Sequence, residues 1–266
     1  MQYSMLLGTQ ILGSLIASGH NGSVKIKSND EIFTVWISSG SVTSLRNSKA
    51  SEQDTLPSLL LTTDGGIEIK SETITIARLN YQQALEKTIL ESKSDFKTLF
   101  PLSSFIQVSA CSSISPDANL TLSENIKLLQ NKSGAGTDLV SLQEMIPKDF
   151  WNTFVLASSI GCVTASYRNN LSNCVKRYHE ALDAEIKKFM GAAISQTFNK
   201  KVNHSIIEWK DQFTNPVYGA KPFEAWVKAI QISALEIVPS SISEKMLSKI
   251  YSMLKPDDQT AIKKLS

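Results

Sequence analysis

The sequence predicts an α+β protein, with a small mixed helix and sheet module first and an all-helical region last. Three observations predict it. Apolar and polar residues alternate in several short runs before residue 78, and turn residues separate those runs. After residue 122 almost every apolar repeat has the helical spacing instead. No stretch of about 18 apolar residues interrupts either half.

Residues 5–18 come first. Leu6, Leu7, Ile11, Leu12, Leu15 and Ile16 recur every four to five positions, which gives an amphipathic helix. Gly8, Gln10, Gly13 and Ser14 break the run, and no basic segment precedes it. It therefore reads neither as a signal peptide nor as a membrane span. Gly19 and Gly22 bracket His20-Asn21 as a turn. Val24 and Ile26 alternate with Lys25 and Lys27 in a half-buried strand over 23–27. Phe33, Val35 and Ile37 alternate with Thr34 and Trp36 in a second strand over 31–37, after an Asn29-Asp30 turn. Ser38-Ser39-Gly40 turns into a third strand near 41–45. A short helix over 56–61, begun by Pro57, precedes strands over 67–70 and 73–77 and a helix over 79–92.

The Ser- and Pro-containing region 100–121 has few charges; Phe100, Phe105, Ile106 and Val108 fit an irregular strand, and 109–121 looks like a linker. Helices follow over 122–131, 138–146 and 148–159, and a short extended end over 162–166. A single long helix is predicted over 169–199, striped by Leu171, Val175, Tyr178, Leu182, Ile186, Phe189 and Ile194. Helices over 202–213, 222–237, 240–254 and 257–265 complete the chain, punctuated by Pro216, Pro239 and Pro256. The domain boundaries implied are 1–92, a linker 93–121, 122–167 and 168–266.

Composition narrows the function. Net charge is +2, with 9 basic and 11 acidic residues through residue 120 and 18 against 14 after it. Neither part is a dedicated polyanion binder, so the balance argues against nucleic acid as partner. The cysteines, Cys111, Cys162 and Cys174, are odd in number and far apart, which argues against a disulfide framework or a zinc site. A cytoplasmic protein without membrane insertion is the simplest reading.

Candidate chemistry is sparse. His179, Glu180 and Asp183 lie within about one turn, with His179 and Asp183 on one helical face, but no further His or Cys stands at ligand spacing, so a solvated face is preferred to a metal site. Cys162 and Cys174 lack a histidine placed to activate them. Ser133-Gly134-Ala135-Gly136-Thr137 lacks the preceding strand and the following Lys of a phosphate loop. No catalytic residue, metal ligand or cofactor site is expected, and the chain is not expected to be an enzyme. Aromatic residues are the remaining candidates. Trp36, Trp209, Phe213, Tyr218, Phe223 and Trp226 are taken as partner-binding positions, because Trp and Tyr dominate interface hot spots. For the five in 206–227, the competing reading is the core of a helical bundle.

The first segment resembles a known module. Leu12, Leu15, Ile16, Ser18-Gly19, Gly22-Ser23-Val24-Lys25-Ile26, Ile32, Trp36-Ile37 and Ser39-Gly40-Ser41-Val42 follow the order of the PATAN domain. Residues 56–61 and 67–77 match its later helix and strand pair loosely. PATAN domains are small bacterial α+β modules found ahead of response-regulator receivers and in motility and surface-sensing proteins. A second likeness, over 126–166, is similar to a winged-helix unit through Leu128-Leu129, Leu142, Met145-Ile146, Phe150, Phe154-Val155, Ile160-Gly161 and Val163. No receiver domain follows. The resemblance implies a non-catalytic regulatory or adaptor protein in motility, type IV pilus or surface-associated signalling. Its partner would be another protein, such as a motor ATPase or signalling protein, or a second copy of the chain. The alternative is a transcriptional regulator that reads DNA with helix 148–159. That helix offers only Lys148 and Asn152 to a groove.

Overall fold

The computed structural model describes residues 2–4, 7–49, 52–73, 79–100, 102–134, 136–146, 148–167, 170–213 and 218–266. The chain is α+β, as its patterning predicts, and divides into two compact units, Met1–Ser166 and Tyr167–Ser266.

The first unit contains a five-stranded antiparallel sheet. Its strands are β1 (Gln2–Ser4), β2 (Gly22–Ser28), β3 (Glu31–Ser38), β4 (Ser41–Asn47) and β5 (Asp64–Ser71), in the order β1-β5-β2-β3-β4. Alternation decides which face is buried. Val24, Ile26, Phe33, Val35, Ile37, Val42 and Ile67 all point to one face and are buried. Two-residue turns at Asn29-Asp30 and Ser39-Gly40 set the register; Asn29, Ser39 and Gly40 all adopt positive φ there. Helix α1 (Gly8–Ala17) is buried along most of its length, through Ile11, Leu12, Leu15 and Ile16. Helix α2 spans Glu52–Leu60. It starts earlier than the proline suggests, so Pro57 lies inside it, on an exposed position. Helix α3 is Tyr81–Glu91. The strand expected over 73–77 falls almost entirely outside the described residues.

Residues 93–121 are not a linker. Phe96, Phe100, Leu102, Phe105, Ile106, Val108 and Leu120 are buried, and strand β6 (Gln107–Ala110) is central in a second sheet. Strands β7 (Thr137–Asp138) and β8 (Val163–Ser166) flank it, giving the order β7-β6-β8. Helices α4 (Ser123–Ser133), α5 (Leu139–Met145) and α6 (Phe150–Ser159) complete the unit. The segments 1–92 and 122–167, expected as separate units, therefore belong to one. The reason is visible between α1 and α6. Gly13 lets the two helix backbones touch: a Cβ there would sit 1.7 Å from the Ser158 carbonyl oxygen. Gln10 Nε2 donates to Ser158 Oγ at 2.9 Å, and Ser159 Oγ donates to Thr9 Oγ1 at 2.9 Å. Glu86 on α3 adds a second tie. Its buried carboxylate accepts the backbone N–H of Thr121 at 3.0 Å and of Leu122 at 2.8 Å, where α4 begins.

The second unit is helical: α7 (Asn170–Met190), α8 (Ala192–Ser205), α9 (Lys221–Ile237), α10 (Ser240–Met253) and α11 (Pro256–Leu265). The single helix expected over 169–199 is two. Gly191 takes φ +88°, outside the helical region, and α8 folds back along α7. Asp183 on α7 accepts from Ser195 Oγ at 2.6 Å and Asn199 Nδ2 at 2.8 Å on α8. The apolar stripe of α7 is buried inside this unit from Leu171 to Ile186, and Phe189 is exposed. The helix expected over 202–213 is also shorter: α8 ends at Ser205, and a single 3-10 turn, Ile207–Trp209, follows. Among the described residues, no helix is long and apolar enough to cross a membrane.

Candidate functional site

A sheet with one face buried presents the residues between the core positions on its other face. Here those residues form a regular grid. Strand register aligns Lys70, Ser23, Trp36 and Ser44 in one row across β5, β2, β3 and β4. The next row is Glu68, Lys25, Thr34 and Arg46, and a third holds Gly66, Lys27 and Ile32. With strands ~4.8 Å apart and rows ~6.8 Å apart, the grid spans roughly 14 by 14 Å.

Its chemistry is two apolar side chains toward opposite ends of β3, Trp36 and Ile32, with cations on the strands beside them. Trp36 is half-buried, and Ile32 is 40% exposed. The Arg46 guanidinium lies 5.7 Å from the centre of the Trp36 ring, a cation–π contact that holds the indole across the face. Lys27, Arg46 and Lys70 are exposed and Lys25 is half-buried. Glu68 is the one acid of the grid; Lys70 lies 3.4 Å and Lys27 3.9 Å from it. Among the described residues, Lys25 and Arg46 have no acidic partner. The arrangement can bind a surface with apolar and negative character. It holds no nucleophile paired with a base.

Of the aromatic candidates, Trp36 belongs to this face and the other five to the second unit. Those five are divided by packing. Phe213 lies edge-on to Phe223 at 5.4 Å and to Trp226 at 5.5 Å; His179 lies 6.1 Å from Trp226 and 5.4 Å from Phe198. This cluster knits α7, α8 and α9 together, and Phe223 is fully buried in it. Trp209 and Tyr218 form a separate half-buried pair, 6.4 Å apart. Asn215-Pro216, between them in sequence, fall outside the described residues.

The other sequence candidates are absorbed by structure. His179 is tucked among aromatic rings, and burial lowers its pKa below the ordinary imidazole value, with Asp183 and the Asn199 side chain acting in the opposite direction. Glu180 faces Lys176 at 3.7 Å. Among the described residues, no three His, Cys, Asp or Glu side chains gather where one ion would reach them. Burial pushes the Cys162 and Cys174 thiols up to about 12, so neither is a thiolate near neutral pH. Helix α6, the reader in the DNA alternative, is buried at Phe150 and from Thr153 to Ser159. It has no continuous face to lay into a groove.

Lys25 and Lys27 were legible as outward strand positions, but Arg46 and Lys70 were not linked to Trp36 by any sequence pattern. The signal that joins them is the register, which places strands β4 and β5 on either side of β2 and β3. In comparisons with known families, curated proteins and solved structures, the chain matches none.

Proposed function

We propose that this chain is a non-catalytic regulatory or adaptor protein that works by contacting another protein. The observation that carries this reading is the open sheet face, where a half-exposed tryptophan stands among four cations over a fully buried core. A half-buried indole on a polar face has apolar area left for a partner to cover, and tryptophan is a frequent hot-spot residue. The resemblance of residues 5–92 to PATAN modules supplies the setting: motility, type IV pilus or surface-associated signalling in a bacterial cytoplasm. The partner would be a motor ATPase, a signalling protein or a second copy of the chain. Reading DNA through α6 is not favoured, because that helix is buried.

Affinity purification of the tagged full chain from its native cells, with mass spectrometry, tests the reading. A protein recovered in comparable amount, and retained after nuclease treatment, is the expected result. Recovery of nothing, or only of proteins lost on nuclease treatment, would overturn it.

A further inference from the structure

We propose that the open face of the five-stranded sheet takes an acidic segment of a partner protein, with an apolar side chain of that segment over Trp36. This rests on the reading that the chain acts through protein contacts, and it names the chemistry of the partner. Charge segregation carries it. Residues 1–166 contain 12 basic and 15 acidic residues, a net −3. The grid holds four cations, Lys25, Lys27, Arg46 and Lys70, and one acid, Glu68, a net +3. The remainder of that unit is therefore net −6. One face carries positive charge against the net sign of the rest of the unit. The four cations lie within roughly 16 Å of one another, about two Debye lengths at physiological salt, so a ligand on the face feels more than one of them.

The size of the face limits what it can hold. Its area, roughly 200 Å², is about a quarter of the ~800 Å² that each partner contributes to a stable interface. A short acidic segment with one apolar anchor fits that area. A nucleic acid fits it poorly. Single-strand binding uses successive aromatic platforms, whereas the grid has one indole, approached by Arg46.

The test places a photo-reactive phenylalanine analogue at position 44, beside Trp36, in the full chain expressed in its native cells. The cross-linked segment is then sequenced. The expected adduct is a partner peptide with clear net negative charge. Its yield should fall at least about fivefold in Lys25→Glu/Lys70→Glu, and likewise between about 50 and 300 mM salt in lysate. These lysines lie outside the core, and circular dichroism confirms that the variant folds. A neutral or basic partner segment, a yield indifferent to salt, or an adduct removed by nuclease would overturn the inference. A partner recovered with the tag but never cross-linked from position 44 would overturn this inference and leave the adaptor reading standing. Absence of any partner in both experiments would overturn both.

Discussion

Replacing Gly13 with alanine tests how the first unit is held together. Alanine is the better helix former by about 1 kcal/mol, so propensity alone predicts stabilisation. The structure predicts the opposite sign. The new Cβ would lie 1.7 Å from the Ser158 carbonyl oxygen and 2.7 Å from its carbon. An ordinary contact needs about 3.2 Å, so α1 and α6 must separate by roughly 1.5 Å. Overpacking of this kind costs about 1–3 kcal/mol. The separation also stretches two buried hydrogen bonds, Gln10 to Ser158 and Ser159 to Thr9, each 2.9 Å long. A stranded buried polar group costs about 1–3 kcal/mol. Less the propensity gain, Gly13→Ala should destabilise the first unit by roughly 1–5 kcal/mol, against the ~5–15 kcal/mol of a typical domain. Urea unfolding gives the magnitude, and hydrogen exchange of α1 and α6 peptides assigns it to this unit. Peptides from α7 to α11 should be unchanged. A neutral or stabilised Gly13→Ala would refute the close helix approach and the single first unit built on it.

Three further predictions follow from buried groups. Glu86→Ala leaves the N–H groups of Thr121 and Leu122 without their carboxylate and should cost about 2–4 kcal/mol in thermal or urea unfolding; loss below about 0.5 kcal/mol would contradict the tie. His179 has a folded pKa below that of the unfolded chain. The unfolded state therefore binds the proton first. Its stabilising effect is complete above about pH 6.5 and is lost as pH falls from there toward the folded value, with a slope of at most ~1.4 kcal/mol per pH unit. His179→Gln should flatten that slope in urea titrations of the second unit between about pH 5 and 7. Finally, Cys111 is partly exposed, whereas Cys162 and Cys174 are buried with thiols raised to about 12. Alkylation at neutral pH followed by peptide mapping should modify Cys111 first; faster labelling of Cys162 or Cys174 would contradict their burial.

Local periodicity made most elements readable, because the apolar spacing of a strand or amphipathic helix is imposed by the same face that packs. Val24-Lys25-Ile26-Lys27 and Phe33-Thr34-Val35-Trp36-Ile37 announce both the strand and its open side. Features set by non-local contact were not readable. Gly191 costs a helix only about 1 kcal/mol, so nothing local says that α7 ends there; the fold-back is secured by Asp183 binding Ser195 and Asn199. Residues 93–121 look like a linker because Phe96, Phe100, Leu102 and Phe105 follow neither period, yet they are buried. The candidate site was half legible. Trp36 stood out as an aromatic residue on a polar strand face. Its cationic surround did not, because Arg46 and Lys70 reach it only through strand pairing.

The proposed partner surface is the sheet around Trp36 rather than the aromatic pair of the second unit. Recovery of the native partner by the tagged full chain should be compared for Trp36→Ala and Trp209→Ala. A hot-spot tryptophan contributes about 2 kcal/mol or more, roughly thirtyfold in affinity. The account predicts that Trp36→Ala loses the partner while Trp209→Ala keeps it. Loss with Trp209→Ala and full recovery with Trp36→Ala would contradict it and move the interface to the helical unit.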